Sequence, residues 1–176
     1  LNYSDHTIEN IFTPFQSTIG KDLPRYKNHV YRVYLNCLLI DDNADNREKY
    51  AIAAVFHDIG IWTDHTFDYL DPSIKQAKLY LAGINRPEWR EEISAMIGWH
   101  HKVSKYKGNY ETTVETFRKA DWIDVSLGLK TFGADKVKIR ENRKNISNLG
   151  FHWFLVKQSL RNFLRTPLKP LPMFKK

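Results

Sequence analysis

The sequence predicts an all-α fold, a single-domain bundle of about seven helices, on three observations. Apolar residues recur at spacings of three and four along most of the chain, which aligns them on one side of a helix. No run alternates apolar and polar residues next to a hairpin turn, so strands have no signature. The composition (176 residues, 42% hydrophobic, 27% charged, 8 Gly and 7 Pro) provides a core without disulfides and excludes a disordered or fibrous chain. One domain over residues 1–176 follows, with no internal repeat and no linker.

A first helix falls within residues 4–17, and a second over 23–40, where Tyr26, Val30, Val33, Tyr34 and Cys37 form an apolar stripe. Asp41, Asp42 and Asn43 end it. Asp45 and Glu48 have capping-box spacing, so a third helix carries the run 51–56 into His57, with Gly60 marking its end. Residues 62–70 read as a loop. Asp71 and Pro72 supply an N-cap and a first-turn proline for a fourth helix to about residue 81, and Pro87 does the same for a fifth, 88–101. The fifth aligns Ile93, Met96, Ile97 and His100, and a basic loop, 102–109, follows. A sixth helix, 112–129, aligns Val114, Phe117, Asp121 and Val125. Gly133 turns the chain into a charged, weakly amphipathic segment, 134–149, before an apolar and aromatic last helix, 151–164. Pro167, Pro170 and Pro172 then confine the end to an extended or disordered tail.

The net charge of +7, from 27 Lys and Arg against 20 Asp and Glu, favours an anionic partner such as a nucleotide or a nucleic acid. The excess is dispersed over 136–144 and 161–176 and is not one basic run interleaved with aromatics, so a solvated basic face is favoured over a nucleic-acid surface. No apolar stretch reaches the ~20 residues of a bilayer crossing, so no membrane partner is expected. A single cysteine, Cys37, lies in an apolar run, and no secretory apolar region stands near Leu1; both features predict a reducing, cytoplasmic setting.

Ionisable residues at core positions carry the functional signal, because burying an unpaired charge costs several kcal/mol, roughly, unless a partner compensates it. Asp121 follows Val114 by seven residues and Phe117 by four, so its carboxylate shares their side. His29 sits between Tyr26 and Val33 on the inward side of its helix. His57 and Asp58 close the apolar third helix, and adjacent residues project about 100° apart, so both reach one point only near a helix end. Imidazole nitrogens and carboxylate oxygens together form the ligand set of a catalytic divalent metal, and one shared site accounts for all four residues.

His29, then His57-Asp58, then Asp121 resembles the H…HD…D arrangement of the HD superfamily of metal-dependent phosphohydrolases, and the surrounding residues 29–33, 55–60 and 118–121 resemble it too. The likeness spans residues 25–129, which implies an HD-type domain with its motif-bearing core at about 25–130 and C-terminal helices and a Pro-rich tail at 131–176. It implies a divalent ion (Mn, Mg, Co, Ni, Zn or Fe) on His29, His57, Asp58 and Asp121, and hydrolysis of a nucleotide or other small phosphate ester by metal-bound hydroxide. Many members bind a second metal, for which His100, His101 and His65 are the candidates here, or else they contact substrate. Some members carry Glu or Lys after HD-x-x; this chain has Ile61, so those roles do not transfer. Asp58 itself and Asp64 are the candidate catalytic carboxylates, with Asp124 one turn beyond Asp121 as another acidic neighbour. Arg32, Lys102 and Arg118, with Lys105 and Lys119 behind them, are candidates to meet phosphate oxygens. Trp62, Phe67 and Tyr69 are placed to flank a base. Two other readings are a di-iron oxygenase on the same scaffold and a nucleotide- or nucleic-acid-binding module with a degenerate site.

Overall fold

The computed structural model describes residues 4–66 and 68–165, and every regular element among them is helical. Phe67, Pro167, Pro170 and Pro172 lie outside the described residues, so the tail is not among them. α1 (His6–Phe12) starts where the Asp5 carboxylate accepts the Ile8 amide at 3.1 Å, and it buries Ile8, Ile11 and Phe12. A short α2 (Gln16–Ile19) leads into α3 (Leu23–Ile40). α3 is buried without a break from residue 28 to residue 34, because α4, α8, α9 and α10 all pack on it. A helix covered on several sides admits polar residues only where they find partners. Asn28, His29, Arg32 and Asn36 are the polar residues of α3 on which that condition falls.

α4 (Arg47–Phe56) is the most enclosed element, with every residue from Tyr50 to Phe56 buried. Its alanines, Ala51, Ala53 and Ala54, fit where α1, α3, α6 and α7 all contact it. The capping box expected at Asp45 and Glu48 does not form. Asn43 accepts the Asp45 amide at 3.0 Å and starts a 3-10 turn, Ala44–Asn46, so the helix begins at Arg47.

α4 ends at Phe56, earlier than Gly60, and Gly60 instead opens a short α5 (Gly60–Thr63) inside the expected loop. Its role is close approach: a Cβ there would lie 2.5 Å from the Tyr69 carbonyl oxygen and 2.9 Å from Pro72 Cβ. The Gly60 amide donates to Ser73 Oγ at 3.0 Å, which ties the two segments. α6 (Leu70–Gly83) starts before the expected Asp71 cap, and Pro72 sits inside its first turn, where no amide is needed. Pro87 likewise opens a 3-10 turn, Pro87–Trp89, ahead of α7 (Arg90–Trp99).

α8 (Glu111–Val125) stops short of residue 129. Leu127 turns left-handed at φ 58°, and the Gly128 and Leu127 amides donate to Ile123 and Asp124 carbonyls at 2.8 and 2.9 Å, a Schellman stop. α9 (Lys136–Asn145) is capped by Asp135, and α10 (Phe151–Arg165) follows. Among the described residues no helix is long and apolar enough to cross a membrane. Cys37 is fully buried, and burial pushes its thiol pKa well up, so it is a core residue.

Candidate metal centre

α3, the end of α4, the end of α7 and α8 converge, and each brings a metal-ligating side chain to the meeting point. α3 supplies His29, the turn after α4 His57 and Asp58, the turn after α7 His100 and His101, and α8 Asp121. His29, His57, Asp58, His100 and Asp121 are each no more than 2% exposed. His101, at 18% side-chain exposure, marks the side nearest solvent. His29 Nε2 lies 3.7 Å from Asp58 Oδ2 and 3.6 Å from Asp121 Oδ1; His57 Nε2 lies 3.4 and 3.8 Å from the same atoms. His100 Nε2 is 3.5 Å from Asp58 Oδ1, and His101 Nδ1 is 3.9 Å from Asp121 Oδ2.

The hydrogen bonds on the far side of three rings decide which nitrogen faces inward. His57 Nδ1 donates to the Ala54 carbonyl at 2.7 Å, His100 Nδ1 to the Ile97 carbonyl at 2.6 Å, and His29 Nδ1 to Asp124 Oδ2 at 2.7 Å. Each assignment follows from the partner, which can only accept. A neutral ring with its proton on Nδ1 presents a lone pair on Nε2. His57, kept neutral by burial, thus turns its lone pair toward His29 Nε2, 2.9 Å away. Two ligand nitrogens about 2.1 Å from one ion, at right angles, are about 3 Å apart. The spacing is that of two donors on a shared cation.

The electrostatics agree. Burial drives the His57 pKa down to about 3, so the ring is neutral. Burial and the neighbouring His100 lower His101 as well. Burial works against ionised Asp58, but His57, His100 and His29 outweigh it and hold its pKa below the usual carboxylate range. Burial raises Asp121 to about 6, since the imidazoles beside it compensate only in part. Asp58 Oδ1 and His100 Nε2 are buried and, among the described residues, have no hydrogen-bond partner. Two donor groups each fit one ion: His29 with His57 and Asp58, and Asp58 with His100 and His101. Asp58 belongs to both, with Oδ2 toward the first group and Oδ1 toward the second.

The HD domain family matches residues 26–126, more than half of the chain. The chain belongs to the HD-domain family. No curated protein and no solved structure matches it. HD domains are in general metal-dependent phosphohydrolases, and the buried His and Asp groups of this one are compatible with a metal.

Other residues singled out from the sequence stand apart from this HD centre. Arg32 does not face the cluster: its guanidinium grips Asp124, Nε to Oδ1 at 2.6 Å and Nη2 to Oδ2 at 2.9 Å, inside the core. Arg118 is spent on Glu115 at 2.7 and 2.8 Å, and Lys105 on Glu111. Asp64 is exposed and accepts from Thr63 Oγ1, and His65 is exposed, so neither joins the ligand atoms. Lys102 follows His101 in the chain, and its ammonium lies over the Trp99 ring, 5.8 Å from the centroid. Trp62 is buried and donates to Asp22 at 3.1 Å, whereas Tyr69 is buried with its hydroxyl against His101 Nε2. Ile61 is buried at 6% exposure, so its position offers no polar group. Sequence reasoning missed Phe151, whose ring stacks on His29 at 4.2 Å and 20°. Nothing in the sequence links two rings so far apart along the chain.

Proposed function

We propose that the chain is a metal-dependent phosphohydrolase acting on a small phosphorylated substrate, a nucleotide or a similar phosphate ester. One observation carries this reading: three Nε2 atoms converge on two carboxylates in a buried centre where, among the described residues, two polar atoms have no hydrogen-bond partner. His29, His57 and Asp58 would hold a divalent ion, with Asp121 Oδ1 3.6 Å from His29 Nε2 to complete the set, and Asp58, His100 and His101 a second. Such an ion supplies activation of water and neutralisation of charge on phosphoryl oxygens. The chain's own residues do the rest. The backbone carbonyls of Ala54 and Ile97 and the Asp124 carboxylate fix the three rings with Nε2 inward. Tyr69 steadies His101, the group nearest solvent, and Lys102, the next residue in the chain, is the candidate to meet a substrate phosphate. The net charge of +7 favours approach of an anionic substrate.

The test is phosphate release from p-nitrophenyl phosphate, its bis ester and a nucleotide panel after chelator treatment and reloading with Mn, Co, Ni or Mg. Metal-dependent release, lost in Asp58→Asn, is the expected result. No release with any metal, combined with iron content and oxygen uptake, would replace the reading with an oxygenase. Nucleotide binding that survives Asp121→Ala without turnover would point to a binding module.

A further inference from the structure

Asp124 is 1% exposed and surrounded by hydrogen-bond donors and cations: the Arg32 fork, His29 Nδ1 at 2.7 Å, and Arg143 Nη1 at 3.5 Å from Oδ1. Among the three rings with Nε2 inward, only His29 has a carboxylate behind it; His57 and His100 rest on backbone carbonyls. A carboxylate accepting from Nδ1–H raises the basicity of the opposite nitrogen and fixes the ring. Of the three rings, His29 alone thus owes its orientation to a side chain from another helix.

The support behind Asp124 comes from beyond residue 126, where the HD family match ends. Arg32 Nη1 donates to the carbonyls of Ile146 and Ser147 at 3.3 and 3.1 Å, and Asn28 Nδ2 to the Ser147 carbonyl at 2.8 Å. His152 Nε2 donates to the Asp124 carbonyl at 2.9 Å, and Phe151 lies flat on the His29 ring. Arg32, Asp124 and the His29 ring are thus each touched by residues 143–152. A buried ion pair adds little net stability over well-packed apolar residues, so stability alone does not account for this network.

We infer that residues 143–152 are a working part of the metal centre: acting through Arg32 and Asp124, they position His29 and so set its affinity for metal. Asp124 is a positioning residue here, and the inference rests on the metal-binding reading above. The test is titration of the metal-free full chain with Co²⁺, read by the visible absorption of bound cobalt, with thermal unfolding measured in parallel. Asp124→Asn is expected to weaken Co²⁺ binding about 10- to 100-fold and to shift the absorption band. His152→Ala, which touches no ligand, is expected to give a smaller loss in the same direction, and His152→Gln, which keeps a donor for the Asp124 carbonyl, to restore it. If Asp124→Asn does not fold, the His152 pair decides alone. Wild-type Co²⁺ affinity and band in the folded variants would overturn the inference and leave these residues a packing role. A wild type that binds no Co²⁺ would overturn the metal reading itself, and this inference with it.

Discussion

At the scale of single residues, protonation couples to metal binding. A carboxylate must lose its proton to ligate, and Asp121, raised to about 6 by burial, holds one in the metal-free protein when the pH is below that value. His100, whose pKa Asp58 and Asp121 raise against the opposing effect of burial, acts in the same direction. Loading metal near pH 6 therefore releases protons, and the release falls as pH rises past both groups, so affinity strengthens from pH 5 toward 8. Calorimetry in buffers of different ionisation enthalpy measures this directly. Equal enthalpies in all buffers at pH 6 would contradict it. Asp121 was legible in the sequence because a carboxylate on an apolar stripe has no other ready explanation, and His29 likewise. The inward placement of a residue follows from its helix period, but its partner does not. Arg32 was expected at a phosphate and is instead bound to Asp124, 92 residues away.

At the scale of elements, the helices follow the apolar periodicity and their ends do not. Apolar spacing is repeated over several turns, whereas a boundary is decided by one capping group, and Asn43 competes with Asp45 for that part. The turn after α4 depends on a contact that no local pattern encodes, the pressing of residues 69–72 onto Gly60. Gly60→Ala is expected to destabilise the fold by roughly 1–3 kcal/mol, because backbone must move to make room for the methyl group. The same movement displaces Tyr69 from His101, so metal affinity falls with stability. Urea unfolding checks the first effect and Co²⁺ titration the second. A midpoint equal to wild type would show that the segment gives way without cost.

At the scale of the whole molecule, four helices from separate parts of the chain bring five buried His and Asp residues to one point, and the HD family match covers all of them. The residues beyond the match close the opposite side of His29, through Phe151 and the carbonyls of Ile146 and Ser147. The sequence marked the ligands because they violate the apolar pattern of their own helices. It could not mark Phe151, which obeys its own: one more apolar residue on an apolar helix. The arrangement as a whole is compatible with a metal, since two groups of buried donors could each hold an ion and Asp58 belongs to both. The most direct measurement is the divalent metal content of protein purified without chelator, set against Asp58→Asn purified in parallel. At least one ion per folded wild-type chain and a marked loss in the variant is the expected result. A folded wild type that carries no metal, and takes up none on addition of Mn, Co, Ni, Zn, Fe or Mg, would contradict it.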